Sequence, residues 1–306
     1  MAVEIAENLF FVERGWLNAN HFVFNGMEKV LVDTGYIGNF EETRRFIQDL
    51  AVDLREVDRI VSTHSHCDHI GGNKRIQDLS GCKIAMHRID KFFIDSRNDW
   101  ATWWRYYDQE ADFFRVDISL EGGDCVFLED LKLEVIHTPG HGGGMIALYS
   151  PKEGFLISSD ALWDGDLGVL TVRVEGSMAP ILALDSLEKL SKLDVDRIYP
   201  GHGPPIKETK TAIQKCREKL EGFLRDPSRM GMDQLRKILV YLLLMRKGFP
   251  VDEFFDYLMG TPWFKETVDL FFEGSYEGTF IQTMESLIQK GVARREEGRY
   301  VATVRP

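Results

Sequence analysis

No stretch of this 306-residue sequence approaches eighteen consecutive apolar residues, so a membrane span is not expected. Cysteine is scarce. Cys67, Cys82, Cys125 and Cys216 form no CxxC pair and no disulfide framework of the kind that staples small domains, which leaves free thiols in a reducing compartment. Positive charge is in deficit, with a formal net charge of −12. That argues against a general polyanion binder, because duplex binding uses a basic face to displace counterions; a local basic patch stays open. The opening MAVEIAENLFFVERG lacks the basic start and apolar stretch of a signal peptide, so a mature cytoplasmic protein is expected. There is no internal repeat and no low-complexity tract. What is present is 44% hydrophobic residues, enough for a sizeable core, in a length that suits two domains.

The first two-thirds alternates strand-like and helix-like segments. EIAENLFFVE, HFVFN and KVLVDTG are β-rich runs broken by Asn and Gly, and residues 39–50 then take helical spacing, with Phe46, Ile47 and Leu50 on one side. VDRIVST reads as a buried strand, followed by a helix near 73–79 and a strand at KIAMH. LKLEVIH, GMIALYS, GFLISSD and DRIYP read as strands, and LDSLEKLSKL as a helix. Strands alternating with helices predict an α/β fold with helices covering sheets. After Pro205 the texture changes: a helix over 207–225, a hinge at PSRMGM, further helices, and a hairpin in VARREEGRYVATV turning at Glu297-Gly298. This predicts domains at 1–226 and 227–306, the second small, mainly helical and winged-helix-like, with a linking helix at about 207–226.

Three of the eight histidines fall within six residues, His64-Ser65-His66-Cys67-Asp68-His69. Three imidazoles and a carboxylate packed this closely repel or desolvate one another unless a cation turns that cost into coordination. An extended VSTH segment points His64 and His66 the same way, and a turn after them lets Asp68 and His69 face a second centre. Gly71-Gly72 permit a tight exit. The motifs LVDTG, THSHCDHIGG, HTPGHGGG, SSD and YPGHG follow in this order over roughly residues 1–205. Together they resemble the metallo-β-lactamase superfamily, especially its glyoxalase II-like hydrolase branch.

The resemblance implies an αββα sandwich and two divalent metal ions, with zinc expected and manganese or iron as alternatives. It implies that His64, His66 and His141 hold one ion, that Asp68, His69 and His202 hold the other, and that Asp160 bridges both. Asp33 would fix a ligand histidine through its other ring nitrogen. The implied reaction is attack by a hydroxide shared between the ions, oriented by Asp68, on a small ester, thioester or lactone. Phosphodiester cleavage and sulfur oxidation at a single iron are the alternatives within the same superfamily. One departure is Gly142-Gly143-Gly144 after His141, where many relatives carry a hydroxyl residue; the glycines allow close approach or simply a flexible turn.

Other residues carry weaker signals. His137 reads as structural or supporting, His21 and His87 as ordinary histidines, Cys67 as a space-filler, and Asp164 and Asp166 as loop carboxylates. Residues 92–114 are rich in aromatics, and Trp100, Trp103, Trp104 and Tyr107 have the spacing of one helical face. That face is either a wall over the metal pocket or a surface packed on the core or on another subunit. Residues 231–306 carry nearly equal numbers of acidic and basic residues, with Arg294, Arg295 and Arg299 clustered on the hairpin. A nucleic-acid partner is therefore not expected for the C-terminal domain, and a substrate-cleft wall or a homodimer surface is the preferred reading. The expected partner is a small-molecule substrate.

Overall fold

The computed structural model describes residues 2–306. The first sheet has seven strands in chain order: β1 (Ala2–Ala6), β2 (Leu9–Val12), β3 (His21–Asn25), β4 (Lys29–Val32), β5 (Arg59–Val61), β6 (Lys83–His87) and β7 (Ile118–Leu120). Strands β1 to β4 pair antiparallel through short turns, and β4 to β7 pair parallel. Parallel neighbours need crossovers. These are supplied by α1 (Phe40–Asp49) between β4 and β5, and by α2 (Cys67–Ile70) and α3 (Asn73–Ser80) between β5 and β6. Helix α4 (Arg88–Asp95) follows β6.

The second sheet runs β12-β11-β10-β9-β8, from β8 (Cys125–Leu128), β9 (Leu131–His137), β10 (Ile146–Ser150), β11 (Phe155–Ser159) and β12 (Arg197–Pro200). Helices α5 (Val172–Glu175) and α6 (Ala179–Ser191) cross from β11 to the parallel β12. The central strands β3, β10 and β11 are buried on nearly every residue, which is why they read as nearly unbroken apolar runs, whereas β8 and β9 near the sheet edge alternate buried with exposed or half-buried positions. Phe11, Phe22, Phe24 and Val32 of the first sheet meet Val135, Ile146, Leu148 and Ile157 of the second in one shared cluster. Val23, Leu31 and Ile84 point outward against Ile47 of α1 and Ile76 of α3. On the far side, Ala147, Leu156 and Ile198 pack on Leu187 and Leu190 of α6. The result is the helix–sheet–sheet–helix layering that the resemblance implies, within the α/β class expected from the alternating pattern.

Helix α7 (Thr209–Arg225) joins that outer layer through Ala212, Cys216 and Leu220. Helix α8 (Pro227–Met245) follows after Asp226 alone. The hinge expected at PSRMGM is instead the first turns of α8. Pro227 sits where a missing N–H costs nothing, and the Asp226 carboxylate accepts from Ser228 N–H as an N-cap. Gly231 is not a flexible joint; a Cβ there would lie 2.6 Å from the Phe271 ring. The remainder comprises β13 (Phe249–Pro250), α9 (Phe254–Met259), α10 (Pro262–Phe272), α11 (Tyr276–Gln289), β14 (Ala293–Glu296) and β15 (Arg299–Ala302). The hairpin turns at Glu297 and Gly298, both at positive φ, as a two-residue turn matched to strand twist requires. Among the described residues, no helix is long and apolar enough to cross a membrane.

The aromatic helix expected over residues 100–107 does not form. After Asp95 the chain makes irregular turns, with Arg97, Trp103 and Asp108 in the left-handed region. The Asn98 side chain accepts from Ala101 N–H and so competes with helical bonding. Trp103, Tyr106 and Tyr107 are buried in the same cluster as Leu239 and Leu243 of α8 and Trp263 of α10, so burial against distant elements overrides the local period.

Valine at position 231 tests the packing of α8. Its helix propensity is only slightly better than glycine's, so the clash with Phe271 dominates. Gly231→Val is expected to lower stability by about 1–3 kcal/mol, read as a lower denaturant midpoint at unchanged m-value.

Candidate metal centre

The seven expected ligands come together at one end of the sandwich, each from a loop at the carboxyl end of a strand. Residues 62–66 leave β5 extended, stitched to β10 by Ile146 N–H donating to Thr63 C=O at 2.9 Å. His64 Nε2 and His66 Nδ1 lie 3.0 Å apart, as the two-residue spacing predicts. The chain then turns into α2, carrying Asp68 and His69 away from that pair. The turn depends on Gly71, whose missing Cβ would fall 2.1 Å from Ile37 N. The β9–β10 loop supplies His141, the end of β11 supplies Asp160, and the end of β12 supplies His202.

Three sets of ligand atoms lie within 4.8 Å of one another: His64, His66 and His141; Asp68, His69 and His202; and His64, His69 and Asp160. The first two are the groups expected from the motifs. The third crosses between them through Asp160. Asp160 Oδ2 lies 3.2 Å from His141 Nε2 and 3.6 Å from His69 Nε2, and its Oδ1 lies 3.9 Å from His202 Nε2. His66 Nδ1 is 2.8 Å from His141 Nε2, and Asp68 Oδ2 is 3.1 Å from His202 Nε2.

The outer contacts decide which nitrogens face inward. His141 Nδ1 donates to Val169 C=O at 2.6 Å and His202 Nδ1 to Gly15 C=O at 3.1 Å. A carbonyl only accepts, so each Nδ1 carries a proton and each Nε2 turns a lone pair toward the cluster. His69 Nδ1 donates to Asp33 Oδ2 at 2.8 Å, while its Nε2 is buried without a hydrogen-bond partner. Asp33 also accepts from Thr63 N–H at 2.8 Å and Thr63 Oγ at 2.7 Å, so one carboxylate orients His69 and anchors the strand end bearing His64. Convergent lone pairs and an orphaned buried nitrogen at His69 fit a cation.

The electrostatics agree. Burial, reinforced by the other histidines, holds His64 and His66 well below the usual histidine range and so favours the lone-pair form. Burial opposes charge on His69 and His202 as well, but it is outweighed: Asp33, Asp160 and Asp68 raise His69, and Asp160 and Asp68 raise His202. Burial likewise opposes ionisation of Asp68 and Asp160, and His69 and His202 bring both carboxyls down.

A pocket of about 260 Å³ opens onto this cluster. Its lining includes Trp16, Trp103, Trp163, Ile238, Tyr241 and Lys237, and apart from Trp103 these were not singled out by any motif. Of the four aromatics read as either a pocket wall or a packed surface, Trp103 alone lines the pocket, with its ring 3.9 Å from His66 and 4.9 Å from His141 between centroids. Trp104 is core, donating to Ser65 C=O at 3.0 Å, and Tyr107 is core, its hydroxyl 2.6 Å from Thr171 Oγ. Trp100 packs on Tyr106 at 5.1 Å, away from the pocket. Without a helix, the four rings share no face.

Gly144 explains part of the glycine run, because a Cβ there would lie 2.2 Å from Asp90 Oδ1. Gly142 and Gly143 have ordinary room. Asp90 accepts from Ser65 N–H at 2.8 Å and so fixes the residue between His64 and His66. Burial pushes its carboxyl up to about 6. No sequence pattern marks Asp90. His137 stacks on His87 at 4.1 Å and contacts Gly143 C=O, a supporting role. Cys67 is fully buried core, and Asp166 pairs with Lys219 and Lys237; neither belongs to the three ligand sets.

The Metallo-beta-lactamase superfamily model matches residues 14–202. A hydroxyacylglutathione hydrolase of Maricaulis maris is 32% identical over 147 residues, 48% of this chain and 48% of that protein. A beta-lactamase-like protein 2 homolog of Caenorhabditis elegans is 30% identical over 198 residues, 64% of this chain and 58% of that one. The chain thus spans about half to three-fifths of the length of these curated relatives. A metallo-beta-lactamase family protein of Thermus thermophilus superposes over 98% of this chain and 100% of its own, with a TM-score of 0.62 and 19% identity, which speaks to fold alone.

The role of Asp33 is testable. In Asp33→Asn the amide still occupies the site but loses the charge that holds His69. Metal affinity or turnover is expected to fall roughly 10–100-fold, with the site retained. Chelator competition and steady-state rates measure this, and loss of all metal from a folded protein would show a more direct role.

Proposed function

The chain belongs to the metallo-beta-lactamase superfamily, and from that premise we propose that it is a binuclear metal-dependent hydrolase of small esters, thioesters or lactones. The observation that carries this reading is the pair of ligand groups joined through Asp160. His64, His66 and His141 would hold one divalent ion, Asp68, His69 and His202 the other, and Asp160 both; imidazole and carboxylate donors suit zinc. Bound there, the two ions supply Lewis acidity and lower the pKa of water toward neutrality. The chain's own contribution is positional. Asp33, Val169 C=O and Gly15 C=O fix the tautomers of His69, His141 and His202. Asp68 lines the pocket and would hold or pass a proton at Oδ2.

The pocket favours acyl substrates over nucleic acid. Trp16, Trp103, Trp163, Ile238 and Tyr241 form apolar walls around a few polar groups, the usual character of a small-molecule site. Lys237 is the one Lys or Arg among the lining residues described. Its ammonium is occupied by Asp166 at 2.9 Å, Asp233 at 2.9 Å and Leu167 C=O at 2.7 Å. With no free cation to track phosphates, nucleic acid is disfavoured. The region from residue 227 onward then serves as a substrate wall through Ile238 and Tyr241 of α8. Free cysteines at 67, 82, 125 and 216 support a cytoplasmic setting.

Metal analysis and a substrate panel on one preparation test the proposal. About two transition-metal ions per chain are expected, and Asp160→Ala should lower occupancy of both sites because it faces both groups. Unchanged metal content in that variant would refute the assignment, and one iron per chain without hydrolysis would favour sulfur oxidation. On the panel, neutral p-nitrophenyl esters, thioesters and lactones are expected to turn over faster than bis(p-nitrophenyl) phosphate or RNA. The reverse ranking would overturn the substrate class.

A further inference from the structure

Trp103 has an unfavourable backbone conformation, and its indole is bonded to a residue that none of the motifs contains. Its φ is +70°, a region that bulky side chains avoid unless their surroundings over-determine them. Its ring stacks on His66 at a centroid distance of 3.9 Å and a tilt of 32°, and it meets His141 edge-on at 4.9 Å. On its far side, indole Nε1–H donates to Glu175 Oε1 at 2.8 Å. Glu175 is the last residue of the four-residue α5, which is closed onto Thr171 C=O by Val174 N–H at 3.0 Å and Glu175 N–H at 2.8 Å. The same Thr171 hydroxyl binds Tyr107, so the acceptor sits on a braced turn.

We propose that Glu175 is a positioning residue: through the Trp103 indole it sets the pocket wall that covers His66 and thereby governs substrate fit at the centre. This rests on reading the pocket as the acyl-binding site of a hydrolase. The contact with the centre runs through the indole, beside a second contact to the Gly143 backbone. Glu175 accepts the indole N–H, the indole face covers His66, and His66 Nδ1 faces His64 and His141. Burial, with Asp90 adding repulsion, pushes the Glu175 carboxyl up to about 8 against the indole N–H that lowers it. A carboxylic acid and a glutamine amide present the same acceptor oxygen, so Glu175→Gln keeps the bond, whereas Glu175→Ala breaks it and leaves the indole N–H buried without a partner.

The experiment compares Glu175→Ala, Glu175→Gln, Trp103→Phe and the double variant Glu175→Ala/Trp103→Phe on the metal-loaded protein. Trp103→Phe keeps a ring but lacks the donor, and it also assigns the Trp103 indole signal by its loss. Glu175→Ala is expected to shift the ¹⁵N-labelled Trp103 indole resonance and remove its exchange protection. KM for a neutral p-nitrophenyl ester should rise about tenfold, with kcat changed much less and metal content unchanged. Glu175→Gln should restore both the resonance and KM. The double variant should be no worse than Trp103→Phe, because both changes remove one bond. Additive losses in the double variant, or an unmoved indole resonance in Glu175→Ala, overturn the proposal. Should Glu175→Ala fail to fold, damage by Glu175→Gln equal to that of Trp103→Phe would do the same. The resonance decides even if no ester is turned over, which would instead count against the hydrolase reading.

Discussion

Seven metal-seeking side chains converge where two sheets and their loops exclude most water. Buried imidazoles and carboxylates at 2.8–3.9 Å from one another are costly unless a cation satisfies them. Much of the surrounding architecture serves to bear that cost. Asp33 takes the outward proton of His69, Val169 and Gly15 carbonyls take those of His141 and His202, and Thr63 links Asp33 to the strand that carries His64. The outward ring nitrogens of His69, His141 and His202 are thus held by the chain itself, which turns their lone pairs toward the cluster.

Three of the eleven described non-glycine residues at positive φ lie at the same place. Asp33 follows β4 with φ 57°, Ser159 ends β11 with φ 49°, and Trp103 sits at 70°. Each is a non-glycine residue in the left-handed region, and each is within two residues of a ligand, bonded to one, or stacked on one. Such conformations persist only where packing and hydrogen bonds over-determine them. Here the surroundings do so: Ser159 Oγ contacts both Thr63 and His64, and Trp103 is held by Glu175.

The C-terminal helices do more than extend the chain. Helix α8 places Ile238 and Tyr241 on the pocket, and Lys237 reaches across to Asp166 in the loop after Asp160. Burial weakens the Lys237 charge, but Asp233 and Asp166 outweigh it, so the lysine stays cationic and ties the two parts together. A buried ammonium with three acceptors is a bond between elements rather than a free binding group.

The convergence of the candidate ligands, most of the strand and helix order, and the terminal hairpin were legible in the sequence because each is written in local chemistry. HxHxDH concentrates donors whose proximity has no other economical explanation, two-residue spacing makes His64 and His66 neighbours, and Glu297-Gly298 supplies positive φ where a tight turn needs it. What local spacing could not decide was the fate of groups whose partners lie far along the chain. The period of Trp100, Trp103, Trp104 and Tyr107 suggested a helix, yet burial against α8 and α10 broke it and sent the four rings to different places. PSRMGM carried the composition of a hinge, yet an Asp226 cap and the Phe271 ring made it helix. Asp90 and Glu175 look like any other acidic residues until the fold buries them beside Ser65 and Trp103. Donor chemistry is a property of residues and their near neighbours, so the sequence alone determined which side chains are candidate metal ligands; burial and hydrogen-bond partnership depend on what the folded chain brings alongside, so the pocket and its supports were decided by tertiary structure.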